Sequence, residues 1–327
     1  MKNKIVYVIG AGFSKEAGFP LTKEFTDKKT ISKFRNNLNK SEQKRLDKVS
    51  KYFLNRIENK YCYDDIESVL NHVAVADYLD MESTTEGNHT YPSSQIFKDL
   101  LWYLARLLKE RAKCKIPSEY CRFVKYVHEN NYPIISFNYD LTIETVLNEL
   151  KVNCDYGVDD TPIKNSVLLI KMHGSVNWTY CTNCEQFVFF PDYEASKVLE
   201  KRSKCPTCKK SNLETIIIPP ILYKDTFYKN PRYENLIRRL WGFANDELVT
   251  ANKVVFIGFS MSETDAYAEE LFKLSSNMNS DIKYELITRP KTTKKLNGLK
   301  KRYEHVLVGN TIKIIPKSFS EYAEKFN

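Results

Sequence analysis

Four short clusters in this chain combine residue types that group-transfer chemistry needs. Gly10-Ala11-Gly12-Phe13-Ser14 follows an apolar run, Ile5 to Ile9, and Phe137-Asn138-Tyr139-Asp140 follows Ile134-Ile135-Ser136. His173-Gly174-Ser175 follows Val167 to Met172, and Gly258-Phe259-Ser260 follows Val254 to Ile257. A glycine turn after a strand lets backbone N–H groups approach an anion such as a pyrophosphate. A side-chain amide can orient a water molecule or a sugar hydroxyl. An imidazole, with an ordinary pKa near about 6.5, suits a general base at neutral pH. Ser14 and Ser260 read equally as donors to a phosphate or ribose and as helix caps. Asp140 reads either as a ribose ligand or as the cap of a helix starting near Leu141, and Asp265 as a first-turn acid favoured by the helix dipole. Asp265 therefore stays outside the candidate set. His72, His89, His128 and His305 have no setting comparable to that of His173.

The glycine spacing disfavours an ordinary dinucleotide-binding dehydrogenase. Its fingerprint places a third glycine where this chain has Lys15, and an acidic residue about 20 positions on, at the end of a second strand. Here the third glycine waits until Gly18, and the acid nearest that position, Asp27, precedes a charged stretch without strand character.

A second kind of chemistry is written in the cysteines. Cys181-x-x-Cys184 and Cys205-x-x-Cys208 are separated by 20 residues, the spacing of a tetrahedral zinc site. Four thiolates leave no open coordination position, so the metal is expected to be structural. The intervening segment is acidic and aromatic, which disfavours a nucleic-acid-binding ribbon. Cys62, Cys114, Cys121 and Cys154 have no matching spacing and read as buried apolar residues.

The elements that must position these groups alternate. Strand character occurs at 132–140, 166–175, 215–220, 253–260, 282–288 and 311–316, with helical stretches such as 232–248 and 263–276 between several of them. From about 22 to 130 the chain reads as helical, with a polar loop over 82–94. Alternation of this kind predicts an α/β fold, a parallel sheet with helices on both faces and active groups at the carboxyl ends of the strands. The length of 327 residues suits two domains or one α/β domain with insertions, and 42% hydrophobic with 13% aromatic residues suffices for a core. The formal charge of +9 is spread along the chain, and its densest run, 291–302, reads as a solvated helix face or loop. No apolar run approaches the ~20 residues of a membrane span, and no secretory leader is visible. A reducing, cytoplasmic setting is expected.

Taken in order, GAGFSKEAGFP, SFNYD, KMHGS, the four-cysteine module and IGFS resemble the sirtuin family over nearly the whole chain. The late Gly18 and Pro20 fit the sirtuin loop that covers NAD. The resemblance implies a Rossmann-like NAD-binding domain from segments 1–30, 115–178 and 214–327. Into it are inserted a helical module, 31–114, and a small four-cysteine zinc module, 179–213. It implies Asn138 and His173 as catalytic residues. Gly10, Ala11, Gly12, Ser14, Pro20, Asn138, Asp140, Gly258 and Ser260 would bind the cofactor, NAD, as a substrate that is consumed. Two departures matter: Leu21-Thr22-Lys23 stands where sirtuin deacylases carry Asp-Phe-Arg, and Phe137 stands where they carry Gln. These departures speak against deacylation, and the segments HGSVNW and GFSMSETD resemble divergent bacterial sirtuin-like proteins that cleave NAD, often in antiphage defence. The resulting expectation is an NAD glycohydrolase, with an NAD-dependent protein deacylase or a catalytically silent NAD or ADP-ribose sensor as alternatives. The partners it implies are a second copy of the chain and a defence protein (an ATPase, nuclease or sensor) acting as trigger. Neither a membrane nor direct nucleic-acid contact is expected.

Overall fold

The β-branched run Ile5–Ile9 can shed water from both faces only in the middle of a sheet, and that is where it lies, with Val6 to Ile9 all buried. The computed structural model describes residues 3–58, 65–79, 82–85, 89–158, 161–219, 231–262, 264–290, 292–307 and 309–326. Among them the strands, in chain order, are β1 Ile5–Ile9, β2 Glu82–Thr85, β3 His89–Pro92, β4 Ile134–Ser136, β5 Asn153–Asp155, β6 Ser166–Lys171, β7 Gly174–Cys181, β8 Gln186–Phe189, β9 Leu213–Ile217, β10 Lys253–Ile257, β11 Lys283–Ile287 and β12 Ile312–Ile315. Contacts divide the chain into two units. The first is Met1–Phe19, Cys114–His173 and Tyr228–Asn327; the second is Pro20–Lys113 and Gly174–Phe227.

The first unit is built on a seven-stranded sheet in the order β12-β11-β10-β1-β4-β6-β5, in which every neighbouring pair is parallel. Helices cross over between the strands and cover both faces, the Rossmann-like arrangement that alternating elements predict. The chain runs outward from β1 through β4 to β6, then returns to β10 on the other flank of β1. That reversal is a topological switch point, where open α/β sheets bind their ligands. Helix Ser118–Asn130 shows how the covering is encoded: Tyr120, Phe123, Val124 and Val127 recur at helical spacing and are buried, and Asn131 ends the helix in the left-handed region at φ 54°. Phe319, on a helix whose start Ser318 and Glu321 cap reciprocally, packs at 4.5 Å against both Phe13 and Tyr120.

The second unit joins helices Lys28–Arg35, Lys40–Glu58, Ile66–Tyr78 and Ser93–Arg111 with the antiparallel sheet β8-β7-β9. Trp102, on the longest buried helical face, is fully buried; its Nε1 donates to Glu200 at 2.6 Å, and the Arg45 guanidinium lies 4.7 Å from its ring.

Three expectations about elements change. The loop expected at 82–94 contains an antiparallel ladder, Glu82↔Pro92 to Thr85↔His89. Its threonines and tyrosine have β propensity, and a Gly-Asn pair sits between the two arms. The strand at 215–220 is β9, ending at Ile217, and it pairs antiparallel with β7 instead of joining the parallel sheet; Pro220 lies outside the described residues. Strands β5, β7 and β8 carry polar or aromatic residues without the apolar runs that marked the other strands. No described helix is long and apolar enough to cross a membrane.

Candidate functional site

Sheet register brings the four polar clusters to one edge. Ile9 is level with Ile257 on one side and with Ser136 on the other, and Ser136 is level with Lys171. The residues that follow these four positions are Gly10, Gly258, Phe137 and Met172. The motifs of the sequence therefore occupy the carboxyl ends of four consecutive strands of the sheet, β10-β1-β4-β6.

The glycines serve this edge by letting two loops touch backbone to backbone. Gly12 donates its N–H to the Gly258 carbonyl at 2.9 Å, and Gly10 donates to Ile257 at 3.1 Å. A Cβ on Gly258, at φ +60°, would lie 2.2 Å from the Phe13 nitrogen, and one on Gly12 would lie 2.7 Å from the Gly258 Cα. The amides of Gly10 and Gly12, expected to cradle an anion, are thus spent on holding the neighbouring loop. The late glycine has a local cause as well. Phe19 N–H donates to Ser14 and Gly18 N–H to Lys15, with Gly18 at φ +93°. This is the Schellman ending of the turn of helix that starts at Ala11.

Asn138 ties the end of β4 to the glycine loop. Both hydrogens of its Nδ2 are used, on the Gly10 carbonyl at 2.9 Å and on Ser14 Oγ at 3.0 Å, so its carbonyl oxygen is what it can offer a ligand. Ser14 is buried, and its Oγ lies 3.4 Å from Thr142 Oγ1, so it works as an internal tie. Asp140 Oδ1 accepts from the Thr142 N–H at 3.0 Å and from its hydroxyl at 2.5 Å, which fixes the entry to helix Thr142–Glu149. Sequence reasoning missed the group beneath this loop. Lys171, at the end of β6, is fully buried, and its Nζ donates to the Asp140 carbonyl at 2.6 Å and to Glu144 Oε1 at 2.8 Å. Its signal was a lysine closing an otherwise apolar strand two residues before the histidine.

His173 is buried, with Phe137 edge-on at 5.2 Å and Tyr139 at 6.0 Å between ring centroids. Phe137 in turn stacks on Phe259 at 4.4 Å. The imidazole Nε2 lies 2.6 Å from Asp265 Oδ2. Asp265 was set aside as a first-turn acid, and it is indeed the N-cap of helix Ala266–Met278, accepting from the Ala268 N–H at 3.3 Å through Oδ1. Its other oxygen, however, holds the histidine. The signal lay in a carboxylate five residues beyond Ser260, which only the fold shows to be near His173.

Of the remaining candidates, Ala11 opens the short helix after the glycine turn, and Pro20 is buried in the second unit. Ser260 is exposed beyond β10; its carbonyl and that of Met261 accept from Arg302, and Tyr303 donates to the Phe259 carbonyl at 2.9 Å. Arg302 and Tyr303 belong to helix Thr293–Val306, so the basic run is helical from Thr293 on, and Arg302 steadies the loop. His72 and His128 are half-buried, His305 is exposed, and the side chain of His89 lies outside the described residues.

In the second unit the four cysteines converge. Their sulfurs all lie within 4.8 Å of one another, with Cys181 to Cys208 at 3.5 Å and Cys184 to Cys205 at 3.6 Å. A tetrahedral zinc with Zn–S bonds of about 2.3 Å separates its sulfurs by about 3.8 Å, so the cluster could hold that ion with no position left for substrate. Val198 and Leu213 pack around it. The other thiols differ from expectation: Cys114 is exposed in the turn between two helices, Cys121 and Cys154 are half-buried, and Cys62 lies outside the described residues. Burial and the Glu149 carboxylate beside it push the Cys121 thiol up.

Residues 133–307, more than half of the chain, match the SIR2-like domain family, and the chain belongs to it. Among solved structures, a Sir2 homologue crystallised as a complex with NAD superposes with a TM-score of 0.50 at 14% identity, over 99% of this chain and 88% of that one. A sirtuin studied for substrate affinity gives 0.50 at 15% identity, over 99% and 92%. At such identities the likeness is one of fold. No curated protein matches the chain.

Proposed function

We propose that this chain cleaves the nicotinamide–ribose bond of NAD, releasing nicotinamide and ADP-ribose or a cyclic product, and that it acts as an NAD-depleting antiphage effector. The observation that carries the reading is the placement of GAGFS, FNYD, MHG and GFS on four consecutive strand ends at the switch point of a SIR2-like sheet. In hydrolysis the bond from ribose C1′ to the nicotinamide nitrogen breaks, and its electron pair leaves with nicotinamide. The ribose passes through an oxocarbenium-like state, as in glycoside hydrolysis. A water oxygen bonds to C1′, its proton passes to His173, and from there to solvent. Asn138, with its N–H groups committed, orients water or ribose through its carbonyl oxygen. The loops after β1 and β10 flank the dinucleotide.

A protein deacylase is the second reading, favoured by the four-cysteine cluster common to sirtuin deacylases and opposed by Leu21-Thr22-Lys23 and by Phe137. An effector that depletes NAD must be held silent in its own host, so assembly with further copies, or a defence partner, is the expected trigger.

Incubation with NAD, with and without an acetylated peptide, followed by chromatography of the products, separates the readings. Nicotinamide and ADP-ribose formed without peptide, and lost in His173→Ala, are the expected result. Nicotinamide released only with peptide, together with O-acetyl-ADP-ribose, would replace the glycohydrolase by a deacylase. NAD bound but intact under every condition, including after phage infection of cells expressing the protein, would leave a sensor.

A further inference from the structure

The pairing of His173 with Asp265 carries an inference about how the base of this site is set. Resting on the NAD-cleaving reading, we infer that Asp265 is a positioning residue: it fixes His173 as the Nε2–H tautomer and steadies the imidazolium that forms during turnover. The geometry is a carboxylate oxygen 2.6 Å from Nε2, with both side chains buried. A carboxylate can only accept, so the proton of that hydrogen bond sits on Nε2 and defines the tautomer. Among the described residues, the rings of Phe137 and Tyr139 lie against the imidazole. Phe137 offers no hydrogen bond, and such a setting disfavours a bare imidazolium. Asp265 supplies the compensating charge.

Asp265 is itself held to this task. Oδ1 accepts the Ala268 N–H at the start of a thirteen-residue helix, and its own N–H donates to the Ser262 carbonyl at 3.1 Å. A helix N-terminus favours the ionised carboxylate. One carboxylate thus caps the helix with one oxygen and orients the base with the other. This is the arrangement by which a buried acid directs a histidine in nucleophilic triads on unrelated folds.

The two roles can be separated, because Asn and Ser cap helices about as well as Asp. Asp265→Asn keeps the cap through its one oxygen, but it removes the charge and turns an NH2 donor toward Nε2, which favours the Nδ1–H tautomer. Asp265→Ser keeps the cap and withdraws the partner from the imidazole. Both variants are expected to fold with the cap kept, to melt only modestly below the unaltered protein through loss of the imidazole bond, and to lower kcat for NAD cleavage by on the order of 10²-fold or more with KM little changed. In NMR titrations of the imidazole, with His173→Ala identifying the resonance among the five histidines, both should lower the pH at which His173 titrates, by about 1–3 pH units. The unaltered protein should show the Nε2–H tautomer when neutral. A His173 that titrates alike in all three proteins, or an Nδ1–H tautomer in the unaltered protein, would overturn the inference. If the unaltered protein does not cleave NAD, that reading fails by itself, and the titration still decides the pairing.

Discussion

The side-chain amide of Asn138 joins two strand ends by donating to the Gly10 carbonyl at 2.9 Å and to Ser14 Oγ at 3.0 Å. Asn138 and Gly10 are 128 residues apart in sequence. The residue expected to orient a ligand is therefore also the clasp that sets the glycine loop against β4. Asn138→Ala removes two buried hydrogen bonds and leaves the Gly10 carbonyl with the Phe13 N–H alone, which costs about 1–3 kcal/mol. Urea unfolding should show that loss, and NAD cleavage should fall further than the stability loss explains. Asn138→Asp, which accepts but does not donate, should share both defects. An alanine variant as stable as the parent would remove the clasp role.

The contact between Gly12 and Gly258 predicts that glycines of one sequence differ sharply in tolerance. Gly258→Ala meets the Phe13 nitrogen at 2.2 Å in a left-handed conformation, and should destabilise by well over about 1 kcal/mol. Gly298→Ala, inside helix Thr293–Val306 with nothing within 4 Å, should stabilise by up to about 1 kcal/mol. Paired thermal melts measure both, and the two shifts should have opposite signs.

Beneath the loop, the pair of buried Lys171 and half-buried Glu144 predicts a break that is asymmetric. Glu144→Gln leaves the Lys171 charge uncompensated, and should cost about 3–5 kcal/mol. Adding Lys171→Met removes the orphaned charge and should restore most of that stability. NAD cleavage should stay low in the double variant, because the Asp140 carbonyl has lost its donor. Full activity in the double variant would assign the lysine to stability alone.

The cysteine cluster predicts one zinc per chain, measured by elemental analysis of protein purified without added chelator. Removing the ion with a strong chelator should lower the melting temperature, since binding energy at a structural site is folding energy. Cys205→Ser, at a fully buried ligand, should lose both the metal and much of that stability. Protein that is metal-free as isolated, with four freely reactive thiols, would refute the zinc assignment.

Much of the architecture was legible in the chain because the strands that build the parallel sheet are buried on both faces. Ile5–Ile9 and Val254–Ile257, at the centre of that sheet, are therefore continuous apolar runs, and such runs can be read. The cysteine spacing was legible for a similar reason, since metal geometry leaves few permitted separations. The ladder at 82–92 and strands β5, β7 and β8 were not, because short polar or aromatic strands owe their pairing to neighbours and lack a periodic signal.

The sequence by itself determined which residue types stand at the strand ends: two glycine turns, an Asn-Tyr-Asp, a His-Gly and two pairs of cysteines. Only the tertiary structure decided what each of them touches. The order β10-β1-β4-β6 laid the four ends side by side, spent the Gly10 and Gly12 amides on a neighbouring loop, and put Lys171 under Asp140. It also turned Asp265 from a helix cap into the partner of His173, 92 residues away. Local patterning encodes the period of an element. Hydrogen bonds that cross the sheet depend on strand order and register, which the burial of the whole chain fixes at once.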